Sequence, residues 1–111
     1  MRLSPLPHIT IRQCDRLQDV EFEWDSNKAQ SNIEKHGVTF EEATEVFFDP
    51  FYQTGDANPI NASSSEQRAF LIGYSLEQRL LLVVYVERGL RTRIISARPA
   101  TRTERKLYEQ P

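Results

Sequence analysis

The amino-acid sequence predicts an α+β fold in which helices pack on an antiparallel β-sheet. Apolar residues repeat at helical spacing within residues 26–47, and from residue 68 onward three apolar segments have the length and β-branched content of strands. Short turns join these segments, so consecutive strands should be antiparallel neighbours in a meander. The predicted order is β-α-α-β-β-β-β-α. Two N-terminal helices and a C-terminal helix then pack on the sheet, and the two early helices cover one face to give two layers.

The first 24 residues divide into an irregular part and a strand. Residues 1–19 contain two prolines and mixed charges without a clear period, which predicts a poorly ordered N-terminal extension. In residues 20–24, valine, phenylalanine and tryptophan alternate with two glutamates, which is the pattern of a half-buried strand. We therefore expect one folded domain over residues 20–111, a common size for a single domain.

Local end signals bound the two early helices. Asp25 is a favourable N-cap, and Gly37 stands where a left-handed residue commonly ends a helix. Thr39, with Glu42 three positions later, predicts a capping box that starts the second helix. Pro50 follows the end of this helix, because the residue before a proline avoids the α conformation.

The rest of the chain is predominantly β. A short strand is expected at residues 51–54, followed by a polar stretch rich in turn-forming residues at positions 56–65. The three strands of the meander are predicted at residues 68–75, 79–87 and 91–98. Thr101 and Glu104 predict a second capping box, and the final helix should extend to about Glu109.

Composition and cysteine content exclude several classes of protein. No apolar segment approaches the roughly 18 residues of a membrane-spanning helix, and the N-terminus lacks the pattern of a secretory signal. Cys14 is the single cysteine, so an internal disulfide cannot form, and one cysteine with two distant histidines matches no zinc-site spacing. We therefore expect a cytoplasmic protein with no membrane contact, no metal and no cofactor.

The two halves of the chain carry opposite net charge. Residues 1–66 contain 5 Lys/Arg and 12 Asp/Glu, a balance of −7, whereas residues 67–111 contain 9 Lys/Arg and 4 Asp/Glu, a balance of +5. A protein with an overall charge of −2 can therefore still present one face that attracts anions. The alternative is that these arginines are solvated charges on strand edges and on a polar helix.

Several short motifs occur in the order found in one family of bacterial proteins. They are FEWD (residues 22–25), KHGV (35–38), FEEA (40–43), VFFDP (46–50), IGYS (72–75), LLLVVY (80–85) and RIISAR (93–98). With the residues that follow them, these motifs span residues 21–110, and on them the chain resembles the BrnT family of type II toxins. Two features depart from that pattern: the extension over residues 1–19, and Ser26, where the family commonly has a proline that only assists helix initiation.

The resemblance implies a RelE-like ribonuclease fold and toxin activity against RNA. It also implies neutralisation by a BrnA-type antitoxin with a ribbon-helix-helix DNA-binding part, so that any contact with DNA is indirect, through the antitoxin. A homodimer within the toxin–antitoxin complex is left open. The residues themselves leave two other functions open: a non-catalytic module that binds an acidic partner, and a nucleic-acid binder that cuts nothing.

Four residues are candidates for catalysis on chemical grounds. His36 is the only histidine in the predicted domain, and an imidazole titrates near neutrality; the alternative is that it caps the C-terminus of a helix. Arg68 and Arg98 lie at a strand start and a strand end, where a guanidinium could hold phosphate; the alternative is pairing with Glu66 or Glu87. Glu87 could act as a base, or be a solvated carboxylate at a strand end.

Further basic residues are candidates for contacts with the RNA backbone: Lys28, Arg91, Arg93, Arg102 and Arg105. Among the aromatic residues, Tyr108 near the basic C-terminal helix could stack on a base. Because the 2′-hydroxyl of RNA can attack the neighbouring phosphate, arginines with one acid–base group would suffice for cleavage. Together with the activity against RNA that the resemblance implies, this leads us to expect a metal-independent endoribonuclease with RNA as its substrate.

Overall fold

The computed structural model describes residues 8–12, 19–57 and 67–110, which form six strands and three helices. The elements, in chain order, are β1 (His8–Arg12), β2 (Asp19–Glu23), α1 (Ser26–His36), α2 (Phe40–Val46), β3 (Gln53–Asp56), β4 (Arg68–Tyr74), β5 (Leu80–Arg88), β6 (Arg91–Pro99) and α3 (Arg102–Glu109). The predicted α+β class is confirmed. No helix in this part of the chain is long and apolar enough to cross a membrane.

All six strands belong to one sheet, in the order β1-β2-β6-β5-β4-β3. The strands β4, β5 and β6 form the predicted antiparallel meander, and β3 pairs antiparallel with β4. The sheet is mostly antiparallel, as predicted, and it departs from this pattern at β2, which pairs with β6 in parallel. The chain passes from β2 through α1, α2, β3, β4 and β5 before it reaches β6, and this long crossover allows a parallel pair. Phe22 of β2 is fully buried as a result.

β1 lies within residues 1–19, for which the sequence predicts a poorly ordered extension. It pairs antiparallel with β2, from His8 opposite Glu23 to Arg12 opposite Asp19. Residues 8–12 therefore depart from the expectation, because pairing with β2 satisfies backbone groups that an extension would leave to solvent. Residues 1–7 and 13–18 lie outside the described part of the chain.

The predicted ends of α1 are confirmed. At its start, the Asp25 carboxylate accepts hydrogen bonds from the backbone N–H groups of Asn27 (2.7 Å) and Lys28 (3.4 Å). At its end, Gly37 has a left-handed backbone with φ of 68°, and its N–H donates to the Ile33 carbonyl at 2.8 Å. A side chain would strain this conformation, so glycine allows the chain to turn at once toward α2.

The two predicted capping boxes differ in outcome. At α3 the box is complete, because the Thr101 hydroxyl accepts the Glu104 N–H and the Glu104 carboxylate accepts the Thr101 N–H. At α2 only half of it forms: the Thr39 hydroxyl accepts the Glu42 N–H at 3.0 Å, but the Glu42 carboxylate binds Arg79 instead. A charge-assisted hydrogen bond from the β4–β5 turn has replaced the local one.

Helices cover both faces of the sheet, which corrects the expectation of two layers. A cluster around Phe22, Phe40 and Val83 fills the space between the sheet and the two early helices. A smaller cluster lies on the opposite face, where Leu80 packs near Tyr108 of α3. The helix α3 forms a partial third layer, over the end of the sheet where β4 finishes and β5 starts. No helix of the described residues covers the other end of this face, which we call the open face.

Two side chains complete the backbone hydrogen bonding where inner strands extend past their neighbours. β2 pairs with β6 only over residues 91–93 of β6. Further along β6, the side chain of Asn32 forms the hydrogen bonds that a neighbouring strand would otherwise form. Asn32 Oδ1 accepts the Ala97 N–H at 3.1 Å, and its Nδ2 donates to the Ala97 carbonyl at 2.7 Å. β4 extends past the first residue of β3, and there the Asp49 carboxylate accepts the Tyr74 N–H at 2.8 Å. These contacts fix α1 and the end of α2 against the sheet.

Candidate functional site

A cleft of about 450 Å³ lies at the end of the sheet where β4 begins and β5 finishes. Short turns make β4 and β5 antiparallel, so the start of one strand meets the end of the other. The cleft is lined by Asp56, Gln67, Arg68, Ala69, Tyr85, Val86, Glu87 and Arg88. We call it the strand-end cleft. It brings together two of the four predicted catalytic residues.

The polar side chains of the strand-end cleft have both signs of charge. Arg68 lies opposite Val86 in the strand register, and Glu87 and Arg88 follow directly. All three charged side chains are exposed. Two guanidinium groups and one carboxylate thus line the same cleft, and this combination can bind an anion and accept a proton. In the described ranges 8–12, 19–57 and 67–110, no group of three or more His, Cys, Asp and Glu is placed to hold a metal ion.

Tyr85 forms part of the cleft wall and is almost completely buried, with 8% of its surface exposed. Its ring packs edge-on against Phe47, with 5.1 Å between ring centroids. Burial raises the pKa of Tyr85, and the charge of Glu87 and the phenol of Tyr52 add to the rise. The Tyr85 hydroxyl therefore stays protonated at neutral pH and is suited to donate a hydrogen bond.

The predicted RNA-binding arginines of β6 lie on the face of the sheet opposite the two early helices. Arg93 is opposite Val86, so Arg68 and Arg93 flank this residue at roughly 10 Å from each other, two strand spacings. The parallel neighbour β2 supplies acidic partners for β6. Arg93 lies 3.6 Å from the Glu23 carboxylate, and Arg91 bonds Glu23 and a second glutamate of β2 at 3.4 and 3.2 Å. These two arginines are thus partly neutralised.

Arg98 forms an ion pair, as in the alternative that the sequence left open, but with a different carboxylate. Both of its terminal nitrogens donate to the Glu104 carboxylate, each at 2.8 Å. The partner is therefore neither of the carboxylates proposed from sequence, Glu87 in the cleft or Glu66 outside the described residues. The Arg98 hydrogen bonds are the largest effect on the Glu104 carboxyl and lower its pKa. This ion pair holds the start of α3 against β6.

His36 lies far from the strand-end cleft. It is exposed in the last turn of α1, where a cation is favoured by the helix dipole. The carbonyl of the next residue, Gly37, accepts a hydrogen bond from Arg79 at 3.1 Å, and Arg79 precedes the start of β5. The cleft is at the other end of β5, roughly 25 Å away at the usual rise of a strand. The structure does not bring His36 together with Arg68 and Glu87.

The remaining predicted RNA-binding residues divide between the two faces of the sheet. Lys28 is exposed in the first turn of α1, on one face. Arg102 and Arg105 are exposed on α3, on the other face, which also carries the arginines of β6. Arg105 donates to the Tyr74 hydroxyl at 3.2 Å. Four of the five predicted contacts with the RNA backbone are therefore on one face of the sheet.

Two contact networks of the structure have no clear signal in the sequence. Glu42 is buried and accepts hydrogen bonds from Ser75 Oγ at 2.7 Å and Arg79 Nε at 2.9 Å, and the bond from Arg79 is the main cause that lowers the pKa of Glu42. Tyr108, predicted as a base-stacking residue, instead donates its hydroxyl to Asp49 at 2.7 Å, and its pKa rises to about 12, first through burial and then through Asp49. Its ring packs edge-on against a neighbouring tyrosine. Tyr108 is thus a packing residue.

Comparisons with known proteins agree with the resemblance found in the sequence. A family model described as the ribonuclease toxin BrnT of type II toxin–antitoxin systems matches residues 24–104, well over half of the chain. The crystal structure of the Brucella abortus ribonuclease toxin BrnT is similar in fold, with a TM-score of 0.52 and 26% sequence identity, over 71% of this chain and 94% of that chain. A comparison with curated proteins found no match. The chain belongs to the BrnT family of ribonuclease toxins of type II toxin–antitoxin systems.

Proposed function

We propose that the protein is an endoribonuclease that cleaves RNA in the strand-end cleft without a metal ion. The observation that carries this proposal is the convergence of Arg68, Arg88 and Glu87 on one cleft beside the protonated Tyr85. A guanidinium presents several donors in a fixed fork that matches the oxygens of a phosphate. Two of them at one site can stabilise the charge that develops on phosphorus-bound oxygens during cleavage.

The proposed reaction uses the nucleophile that RNA itself supplies. Glu87 accepts the proton of the 2′-hydroxyl, and the 2′-oxygen forms a bond to the adjacent phosphorus. The bond from phosphorus to the 5′-oxygen breaks, and that oxygen takes up a proton from water. The products are a 2′,3′-cyclic phosphate and a free 5′-hydroxyl. Arg68 and Arg88 balance the charge of the phosphate during this step, and Tyr85 donates a hydrogen bond to it.

The other predicted catalytic residues have no step in this reaction. His36 is at the far end of β5, and Arg98 is engaged by Glu104. We assign the open face of the sheet, with Arg91, Arg93 and the arginines of α3, to sequence-independent contacts with the RNA backbone. Lys28 lies on the opposite face and is not part of this path.

Cleavage of a labelled RNA oligonucleotide tests the proposed reaction. Activity should persist in EDTA, and a single 2′-deoxy linkage at the scissile position should abolish it while binding is retained. Arg68→Ala should lower the rate roughly 10²–10³-fold, as for the loss of one preorganised donor. Glu87→Gln should lower it roughly 10²–10⁴-fold, as for the loss of a general base. Glu77→Gln, on the exposed turn at the other end of the sheet, is the control. Activity that requires added magnesium, or full activity of Arg68→Ala and Glu87→Gln, would contradict the proposal.

We also propose a BrnA-type antitoxin as the partner that inhibits the protein. The charge of +5 in residues 67–111 supports an acidic docking surface on that partner. Opposite potentials mainly accelerate association, so the association rate constant should fall strongly between low and high salt. Stopped-flow mixing with the purified antitoxin measures this rate. An association rate that is independent of salt would contradict docking of the antitoxin on the positively charged residues of this segment.

A further inference from the structure

Asp56 lines the strand-end cleft and has no step in the proposed reaction. Its side chain is exposed, and among the residues that the structure describes none forms a hydrogen bond or an ion pair with its carboxylate. A carboxylate repels the phosphates of RNA, so its place in this cleft is favourable where it contacts a part of the ligand that donates hydrogen bonds. The edges of the nucleobases carry such donors.

The backbone that carries Asp56 is fixed to the neighbouring strand β4. Asp56 is the last residue of β3 and pairs with Ala69. One residue later, the Ala57 N–H donates to the Arg68 carbonyl at 2.9 Å, so the two segments stay together beyond the end of β3. The carboxylate is therefore carried at a defined place in the cleft wall, and little backbone entropy is lost when it binds a ligand.

The strand register places Asp56 on the same face of the sheet as Tyr85 and Glu87. Asp56 is opposite Ala69, and Ala69 is opposite Tyr85, so these three cleft residues share one face. Asp56 and Tyr85 are roughly 10 Å apart, two strand spacings, and the methyl group of Ala69 fills little of the space between them. Glu87 is two residues beyond Tyr85 along β5 and therefore points to this face too. Asp56 thus shares its side of the cleft with the residue that accepts the 2′-hydroxyl proton in the proposed reaction.

We propose that Asp56 binds the base of the nucleotide whose 2′-hydroxyl attacks, and that it selects guanine. The inference rests on the proposed function, because Glu87 determines where the ribose of that nucleotide lies. The base is attached to the ribose carbon next to the one that carries the 2′-hydroxyl, so it lies close to the group that Glu87 deprotonates. Arg68 and Arg88 line the same cleft from alternate strand positions, on the opposite face of the sheet. The phosphate and the base can therefore be held on different sides of the strand ends.

The choice of guanine follows from the donors on the pairing edge of each base. An ionised carboxylate only accepts hydrogen bonds, through two oxygens side by side. Guanine presents two neighbouring donors on this edge, N1–H and the 2-amino group, which fit both oxygens at once. Adenine, cytosine and uracil each place an acceptor beside their donor, so a carboxylate gains one hydrogen bond and meets one repulsion. A bidentate contact of this kind discriminates against another base about 5–150-fold.

Oligonucleotides with a single ribonucleotide in a DNA strand test this selection. Only one linkage then has the nucleophilic 2′-hydroxyl, and the base of that nucleotide is guanine, adenine, cytosine, uracil or hypoxanthine, which is guanine without the 2-amino group. The unaltered protein should cleave after guanine with a kcat/KM about 5–150-fold above the values for adenine, cytosine and uracil. Hypoxanthine should give a value between them, because it keeps one of the two donors.

Asp56→Asn gives the decisive comparison, since an amide presents one donor and one acceptor in place of two acceptors. The kcat/KM for guanine should fall to about that for adenine, whereas the value for adenine should not fall. Glu77→Gln, which removes a carboxylate from the exposed turn at the other end of the sheet, is the control and should keep the preference. Equal cleavage after all bases by the unaltered protein, or a loss of equal size for every base in Asp56→Asn, would overturn the selection. A preference for guanine that Asp56→Asn keeps would overturn it as well.

Failure of the selection and failure of the proposed function give different results. If Arg68→Ala and Glu87→Gln abolish cleavage but the base makes no difference, only the role of Asp56 is wrong. If these two variants keep full activity, or if the unaltered protein cleaves none of the oligonucleotides, the proposed function is wrong and the selection fails with it.

Discussion

Arg98 and Glu104 form a bidentate ion pair that joins the end of β6 to the start of α3. The hydrogen bonds from Arg98 lower the pKa of Glu104 from its ordinary 4.5. A carboxyl with a lowered pKa in the folded state stabilises the protein above the unfolded value, and this contribution is lost as the pH falls through the folded value. The pair should therefore stabilise α3 at neutral pH and not in acid.

Glu104→Gln separates this ion pair from the capping box, since glutamine can still accept the Thr101 N–H. We expect the variant to lose about 1 kcal/mol of unfolding free energy at pH 7, because the pair is bidentate but partly exposed. Near pH 3 the variant and the unaltered protein should differ little. Urea unfolding at the two pH values measures this, with Glu109→Gln as an exposed control. An equal deficit at both pH values would contradict the assignment.

Asn32 is a buried amide whose importance depends on a residue 65 positions away. Replacing it with alanine would leave the N–H and carbonyl of Ala97 unpaired, as well as the carbonyl of Val38. Each buried group without a partner costs about 1–3 kcal/mol, so for three groups we expect Asn32→Ala to lower the unfolding free energy by about 3 kcal/mol or more. Chemical denaturation measures this loss, and Gln30→Ala on the exposed side of α1 is the control. A loss below that of Gln30→Ala would show that water replaces the amide.

Two residues that stand out by their side-chain chemistry alone are brought together by the fold. Arg68 and Glu87 were both candidates, and they line one cleft. The contacts of Asn32 and Arg79 were not predicted, because their partners are distant in the chain.

Helix ends and strand pairings show the same difference between features that depend on nearby residues and features that depend on distant ones. The ends of α1 and the capping box of α3 were predictable, since each depends on residues within one turn of the helix end. The parallel pairing of β2 was not, because β2 and β6 are separated by two helices and three strands. The capping box predicted at α2 forms only in part for a related reason: an arginine that is distant in the chain binds its glutamate.

Substitutions at Gly37 test whether the turn between α1 and α2 requires a left-handed backbone. A Cβ at this position would meet no atom within 4 Å, so the cost of a substitution is only the left-handed backbone, φ 68°. Gly37→Val should destabilise the protein by about 1–2 kcal/mol, and Gly37→Asn by less, because asparagine tolerates this conformation. Thermal unfolding of the two variants compares them. Equal midpoints would mean that the turn changes its conformation rather than bearing the strain.

At the scale of the whole molecule, the fold reduces the charge asymmetry of the chain. The balances of −7 and +5 belong to segments of sequence, but β2 of the acidic half lies beside β6 of the basic half. Glu21 and Glu23 then pair with arginines of β6, and Glu42 pairs with Arg79. Composition alone therefore overstates the positive potential of the open face.

The contribution of β1 to the whole molecule can be measured by truncation. A chain that starts at Asp19 loses the strand that pairs with β2 over five residue pairs. Its midpoint should fall by about 4–8 °C for each kcal/mol lost, and it should self-associate more, because β2 becomes an exposed edge. A chain that starts at His8 keeps β1 and serves as the control. If the shorter chain keeps its midpoint and stays monomeric, the pairing of β1 with β2 contributes little.

The parallel pair of β2 and β6 also has a kinetic consequence. Its ion pair between Glu21 and Arg91 joins residues 70 positions apart, whereas the pairs of the β4-β5-β6 meander close short loops. Loop-closure entropy increases with the length of chain enclosed, and proteins whose contacts are distant in sequence fold more slowly. The meander, with the walls of the strand-end cleft, should therefore form early, and β2 should dock onto it late. The strands that are synthesised first would then be the last to join the sheet, so the order of folding would be the reverse of the order of synthesis.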